Sequence, residues 1–188
     1  HRMAGALTDI TDRRTTDALT ALPNRALFLE RLVDAHNRAR RSREPFGLLF
    51  VDLDRFKQVN DSVGMAVGDS ILLTIARRLS RLLKPQDTLA RLSGDQFALI
   101  VLSEREPARI VAFAETIRRT LRAPIAFNDR EIFLTASIGL ALAENAAHRT
   151  DEVLKDAELA MYYAKRIGGD RIEIFKPAMR SRKTDRLT

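Results

Sequence analysis

Asp52 closes an apolar run that begins at Gly47, and Asp95 stands inside Leu92 to Ile100, LSGDQFALI, which reads as a tight hairpin flanked by strand-forming residues. If the two segments pair as neighbouring strands, carboxylates from separate backbone elements converge on one point. A hard, oxygen-seeking cation such as Mg2+ requires that arrangement. Solvated turn residues would have the same spacing, so the pair alone leaves both readings open.

Positioning such a pair takes strands that exit side by side. Phe46 to Leu53 (FGLLFVDL) is a continuous apolar run of strand length, the pattern of a strand buried on both faces. Before it, Leu27, Phe28, Leu32 and Ala35 recur at helical spacing, with Pro23 suited to that helix's first turn. After it, Phe56 to Val63 reads as a short helix and Gly64 to Gly68 as a loop bounded by glycines. A helix is then expected to start at Asp69, its apolar stripe marked by Ile71, Leu72, Ile75, Leu79, Leu82 and Leu83.

Thr88 to Leu92 and Phe97 to Leu102 form the hairpin, with Gly94 expected to supply the freedom of its turn. Pro107 opens an amphipathic helix through Leu121, and a small hairpin follows over Asn128-Asp129. A buried strand from Ala136 to Ala143, a helix from Val153 to Ile167 and a strand from Arg171 to Phe175 complete the chain. Strand, helix, hairpin, helix, strand is the order of a ferredoxin-like βαββαβ core with additions, an α+β fold.

A chain of 188 residues with 45% hydrophobic content fits one domain with an ordinary core. The absence of cysteine excludes disulfides and thiolate metal sites. No apolar run approaches the roughly 20 residues that span a bilayer, and no charged-then-apolar leader opens the chain. A soluble domain without membrane contact of its own is expected, with an anchor elsewhere in a longer parent left open.

The formal charge of +7 is uneven, with Arg38, Arg40, Arg41 and Arg43 in one cluster and Arg180, Arg182, Lys183 and Arg186 in another. Neither cluster has the interleaved aromatics that stack on bases, so a solvated helix end and a linker are the preferred readings and no nucleic-acid partner is expected. Small phosphate-bearing molecules remain compatible with the charge.

Six segments in order, Asp17 to Arg25 (DALTALPNR), Val51 to Asp61 (VDLDRFKQVND), Gly64 to Asp69 (GMAVGD), Ser93 to Phe97 (SGDQF), Ala136 to Leu140 (ASIGL) and Asp156 to Gly168 (DAELAMYYAKRIG), resemble the GGDEF family. The resemblance covers about Asp17 to Phe175. It implies a bacterial signalling domain of the cytoplasm, with a mainly antiparallel sheet flanked by helices, as in polymerase palms and nucleotide cyclases. Members are diguanylate cyclases, nucleotidyltransferases that condense two GTP into cyclic di-GMP and pyrophosphate, each GTP held by one half of a dimer.

By the same resemblance Asp52, the carbonyl of Leu53 and Asp95 hold Mg2+ or Mn2+, with Asp95 also the general base. Lys57 steadies the transition state, and Phe56, Asn60, Asp69, Gly94 and Lys165 bind the substrate. Asn60 and Asp69 would read guanine, whose N1 and N2 donors suit a carboxylate. Without the family, Asp69 would be a helix cap, Asn60 a turn residue and Lys57 an exposed lysine at a helix start.

The signature departs from the family pattern at Ser93, at Gln96, where a glutamate is usual, at Met65, where a histidine is usual, and at Gly169, where an arginine is usual. Gln96 keeps the shape of glutamate and discards a charge. Lys84-Pro85-Gln86-Asp87 stands where the family's inhibitory product site begins with arginine, and lysine lacks the planar fork that grips guanine and phosphate together. Residues 1–16 and 177–188 read as linkers around a domain of residues 17–176, the first resembling the end of a PAS sensor and the second the approach to an EAL phosphodiesterase. Two functions are therefore expected in competition: a weakened cyclase, or an inactive GTP sensor that controls a fused EAL domain.

Overall fold

The computed structural model describes residues 14–144 and 149–181. Most of the expected N-terminal linker, and Arg182, Lys183 and Arg186, lie outside the described residues.

Helix α1 (Arg25–Ser42) starts two residues after Pro23: Asn24 is its cap, accepting from the Leu27 amide at 3.1 Å. Pro23 instead offers its carbonyl to the amide of Arg91 at 3.0 Å. Strand β1 (Phe46–Leu53) is buried throughout except for the half-buried Asp52. Helices α2 (Phe56–Val63) and α3 (Met65–Leu82) are separated only by Gly64, whose φ of 90° breaks the helical path. The loop expected from Gly64 to Gly68 is therefore mostly the first turn of α3. Asp69 lies inside that helix, where it caps nothing.

Strands β2 (Thr88–Ser93) and β3 (Gln96–Val101) form the hairpin, with Gly94 and Asp95 as its turn. Helix α4 (Pro107–Leu121) begins at its proline as expected. Strands β4 (Ile125–Phe127) and β5 (Arg130–Ile132) are joined by Asn128 and Asp129, both in the left-handed region. Strand β6 (Ala136–Ala143), helix α5 (Thr150–Ile167) and strand β7 (Arg171–Ile174) follow.

The main sheet has the order β2-β3-β1-β6-β7. Each of the first four strands runs antiparallel to its neighbours in the ferredoxin-like arrangement, and β7 adds a parallel edge. Alternation along β1 divides the core. Leu49, Val51 and Leu53 pack with α3 and α4, whereas Leu48 and Phe50 pack with α1 and α5. By that alternation Asp52 shares the face of α5. That helix lies tight on β6 at Gly139, where a Cβ would collide with the backbone of Ala157 and Met161.

The chain after β7 stays docked as far as Arg180. Met179 is buried beside Leu159 and Tyr163, and Arg180 grips both oxygens of the buried Asp156 at 2.7 Å.

Candidate functional site

The β1–β3 register sets Asp52 opposite Gln96, and the Leu53 amide donates to the Asp95 carbonyl at 3.1 Å. Strand exit and hairpin turn therefore meet, and Asp52 and Asp95 share one end of the sheet. From α5, the ammonium of Lys165 comes within 2.9 Å of Asp52 Oδ1. Burial pushes the Asp52 carboxyl above the usual carboxylate range, and the negative charges of Asp95 and Asp54 add to it; the Lys165 contact opposes them without cancelling them.

The same Oδ1 is buried, and despite the nearby ammonium it has no aligned hydrogen-bond partner among the described residues. A carboxylate that one ammonium only partly offsets, in a field of like charge, is a place where a further cation is favoured. The donor set, two carboxylates with a main-chain oxygen near them, suits a hard divalent ion. Among the described residues no group of three or more His, Cys, Asp or Glu side chains could hold a metal, so any such centre is sparse in protein ligands.

A second group of residues lies where α2 meets α3. Phe56 is buried, and Asn60 lies against Gly68 so closely that a Cβ there would overlap its side-chain amide. Gly68 thereby sets Asn60 beside the backbone that carries Asp69. Neither the Asp69 carboxylate nor the exposed Lys57 ammonium has a hydrogen bond or ion pair among the described residues. Gly94 is not in the left-handed region, which removes the conformational reason for it; a Cβ there would meet nothing within 4 Å, leaving the turn open to close approach.

The positions that depart from the family pattern also have definite surroundings. Gln96 is half-buried opposite Asp52, and Met65 is largely exposed. Gly169 has a φ of 74° and faces the Asp54 carboxylate. Arg166 is engaged with Tyr162, donating to its hydroxyl at 3.1 Å, whereas Arg171 donates to the Gly169 carbonyl at 3.2 Å. Asp87 accepts from the Lys84, Leu102 and Ser103 amides and from the Ser103 hydroxyl at 2.7–3.0 Å, so its carboxylate is occupied by its own loop and by the segment just after β3.

Sequence reasoning missed two ties. Arg91 donates to both oxygens of Asp17 at 3.1 Å and to the Gly94 carbonyl at 3.0 Å, which joins the segment before α1 to the hairpin turn. Burial alone would raise the Asp17 carboxyl, but hydrogen bonds from Thr20 and the Arg91 charge hold it below its ordinary value. Asp54, passed over as the neighbour of Asp52, accepts from Thr135, Ser137 and the Asp170 amide. The alternating hydroxyls at Thr135 and Ser137, just where the apolar strand begins, were the available signal.

The family model for the diguanylate cyclase GGDEF domain matches residues 14–171. The chain is 38% identical over 171 residues to the bifunctional diguanylate cyclase/cyclic di-GMP phosphodiesterase MucR of Pseudomonas aeruginosa, covering 91% of this chain and 25% of MucR. It is 42% identical over 151 residues to the diguanylate cyclase TpbB of the same organism, covering 80% of this chain and 35% of TpbB. The chain thus spans between a quarter and about a third of these relatives.

Among solved structures, that of the isolated GGDEF domain of TpbB superposes with a TM-score of 0.85 at 36% identity, covering 90% of this chain and 99% of that one. The coiled coil and GGDEF domain of DgcB from Caulobacter crescentus, in complex with c-di-GMP, gives 0.83 at 29% identity, covering 92% of each.

Proposed function

Since the chain belongs to the GGDEF family of cyclic di-GMP signalling domains, we propose that it binds GTP with Mg2+ or Mn2+ where Asp52 and Asp95 meet, and condenses two such GTP molecules into cyclic di-GMP with weakened activity. The observation that carries this reading is the Asp52 carboxylate at the end of β1, pushed up by burial and by the charges of Asp95 and Asp54 although the Lys165 ammonium lies 2.9 Å from its Oδ1.

Asp52, the Leu53 carbonyl and Asp95 would hold the metal. When bound, such an ion neutralises triphosphate charge and lowers the pKa of a coordinated hydroxyl. Asp95, on the hairpin turn, is the group placed to accept the proton of the attacking 3′ hydroxyl. Lys165, already drawn to Asp52, and Lys57, with no competing ion pair among the described residues, would meet the phosphates. Asn60 and Asp69 would read the base, and Phe56 supports them from the core. The open face of Gly94 lets the triphosphate approach the hairpin backbone.

Each 3′ hydroxyl attacks the α-phosphate of the other GTP, so the complete site takes a second GGDEF domain facing this one. The sparse metal ligands and the neutral Gln96 favour a second reading, a non-catalytic GTP sensor. The naming of MucR as bifunctional gives that sensor a natural output in a fused EAL phosphodiesterase, with a PAS sensor as the corresponding input. Incubation of the chain with GTP and Mg2+ or Mn2+ separates the two readings. Cyclic di-GMP supports the cyclase; saturable GTP binding without product supports the sensor; the absence of both product and binding overturns both readings.

A further inference from the structure

Asp54 has no part in the scheme above, yet its carboxylate is more fully engaged than that of Asp52 or Asp95. Oδ1 accepts from the Ser137 hydroxyl at 2.6 Å, and Oδ2 from the Thr135 hydroxyl at 2.6 Å and the Asp170 amide at 2.9 Å. Its own amide donates to the Thr135 carbonyl at 2.9 Å. One side chain therefore ties the exit of β1 to the start of β6 and to the turn that follows α5.

Asp170 extends the tie, since its carboxylate receives Arg118 of α4 at 2.8 Å. On the other side Gly169, in the left-handed region, gives the carboxylate its room: a Cβ would lie 2.9–3.0 Å from the Asp54 carboxyl atoms. An acceptor-only group suits three converging donors.

We propose that Asp54 is a positioning residue for the metal-holding group: it fixes the β1 exit so that Asp52 and the Leu53 carbonyl face Asp95, and fixes the turn after α5 so that Lys165 stays at Asp52. The inference rests on the metal reading of Asp52, Leu53 and Asp95 given above. Residues behind the direct ligands set their orientation, and their loss typically weakens metal binding about 10- to 100-fold.

The test is calorimetric titration of GTP into the whole chain, with Mg2+ and again with EDTA, for wild type, Asp54→Ala, Asp54→Asn and Thr135→Val. The ratio of the two affinities isolates the metal-dependent part, which a merely structural role would not move. In Asp54→Ala that ratio is expected to fall about 10- to 100-fold while affinity in EDTA holds. Asp54→Asn should lose less, because the Ser137 hydroxyl can turn to accept from its amide. Without ligand, the Asp170 amide should exchange faster in Asp54→Ala.

A wild type that responds to Mg2+ beside an Asp54→Ala that responds equally would overturn the inference alone; a wild type indifferent to Mg2+ would overturn the metal reading and the inference with it. If Asp54→Ala does not fold, Asp54→Asn and Thr135→Val decide, since both retaining the wild-type ratio contradicts the proposal.

Discussion

Burying a carboxylate beside two others destabilises a fold unless a cation answers it, and Asp52 is so placed. Its folded pKa lies above the unfolded value of about 3.9. Its contribution to stability is therefore complete below that value and is lost as pH rises through the folded pKa. In the absence of metal, Asp52→Asn should melt higher than wild type at pH 7.5, by about 2–4 °C for each kcal/mol relieved. The difference should shrink as pH falls toward 3.5, where the Asp52 carboxyl is mostly protonated; thermal melts in EDTA at the two pH values check this.

Gln96 is the complementary case, a neutral residue opposite Asp52. A unit charge pair ~4 Å apart is worth about 4 kcal/mol at an effective dielectric of about 20. Gln96→Glu is therefore expected to raise cyclic di-GMP production at least about tenfold and to lower the melting temperature of the metal-free chain. A rate that stays flat would shift attention to Gly169 or to failed pairing of domains.

Two glycines set the elements around the site. At Gly139 an added methyl meets the backbone of α5, which cannot step aside without carrying Lys165 with it. Gly139→Ala should cost about 1–3 kcal/mol in urea denaturation. At Gly68 the obstacle is only the Asn60 side chain. Gly68→Ala should therefore weaken GTP binding while leaving the denaturation midpoint nearly unchanged, a contrast that calorimetry and urea melts can read together.

These glycines also mark what the sequence disclosed. The apolar runs of β1 and β6 and the proline opening α4 fixed those elements, because burial on both faces and a missing amide leave few alternatives. Gly68 read as a loop boundary because a glycine inside a helix ordinarily weakens it; its reason is the tertiary approach of Asn60. Asp52 and Asp95 could be paired from strand order alone. The ties of Asp54 to Asp170 and of Arg91 to Asp17 join residues far apart in the chain, and no local period announces them.

At the scale of the molecule, Asp52, Leu53 and Asp95 lie at one end of a five-stranded sheet, and the clustered arginines at the end of α1 precede β1 at the other. No described helix is long and apolar enough to cross a membrane. If each GTP attacks its partner's phosphate, as proposed, the site needs two copies. Specific activity should accordingly rise with protein concentration, and an enforced dimer should remove that dependence; an activity independent of concentration from the start would contradict half-site assembly.

The most direct measurement is GTP binding by wild type and Asp95→Ala, each titrated with Mg2+ and with EDTA, and with ATP as the competing nucleotide. The expected result is tight, guanine-selective binding by wild type that weakens at least about tenfold when either the metal or the Asp95 carboxylate is removed. Equal affinity in all four titrations would contradict a metal–nucleotide centre shared by Asp52 and Asp95.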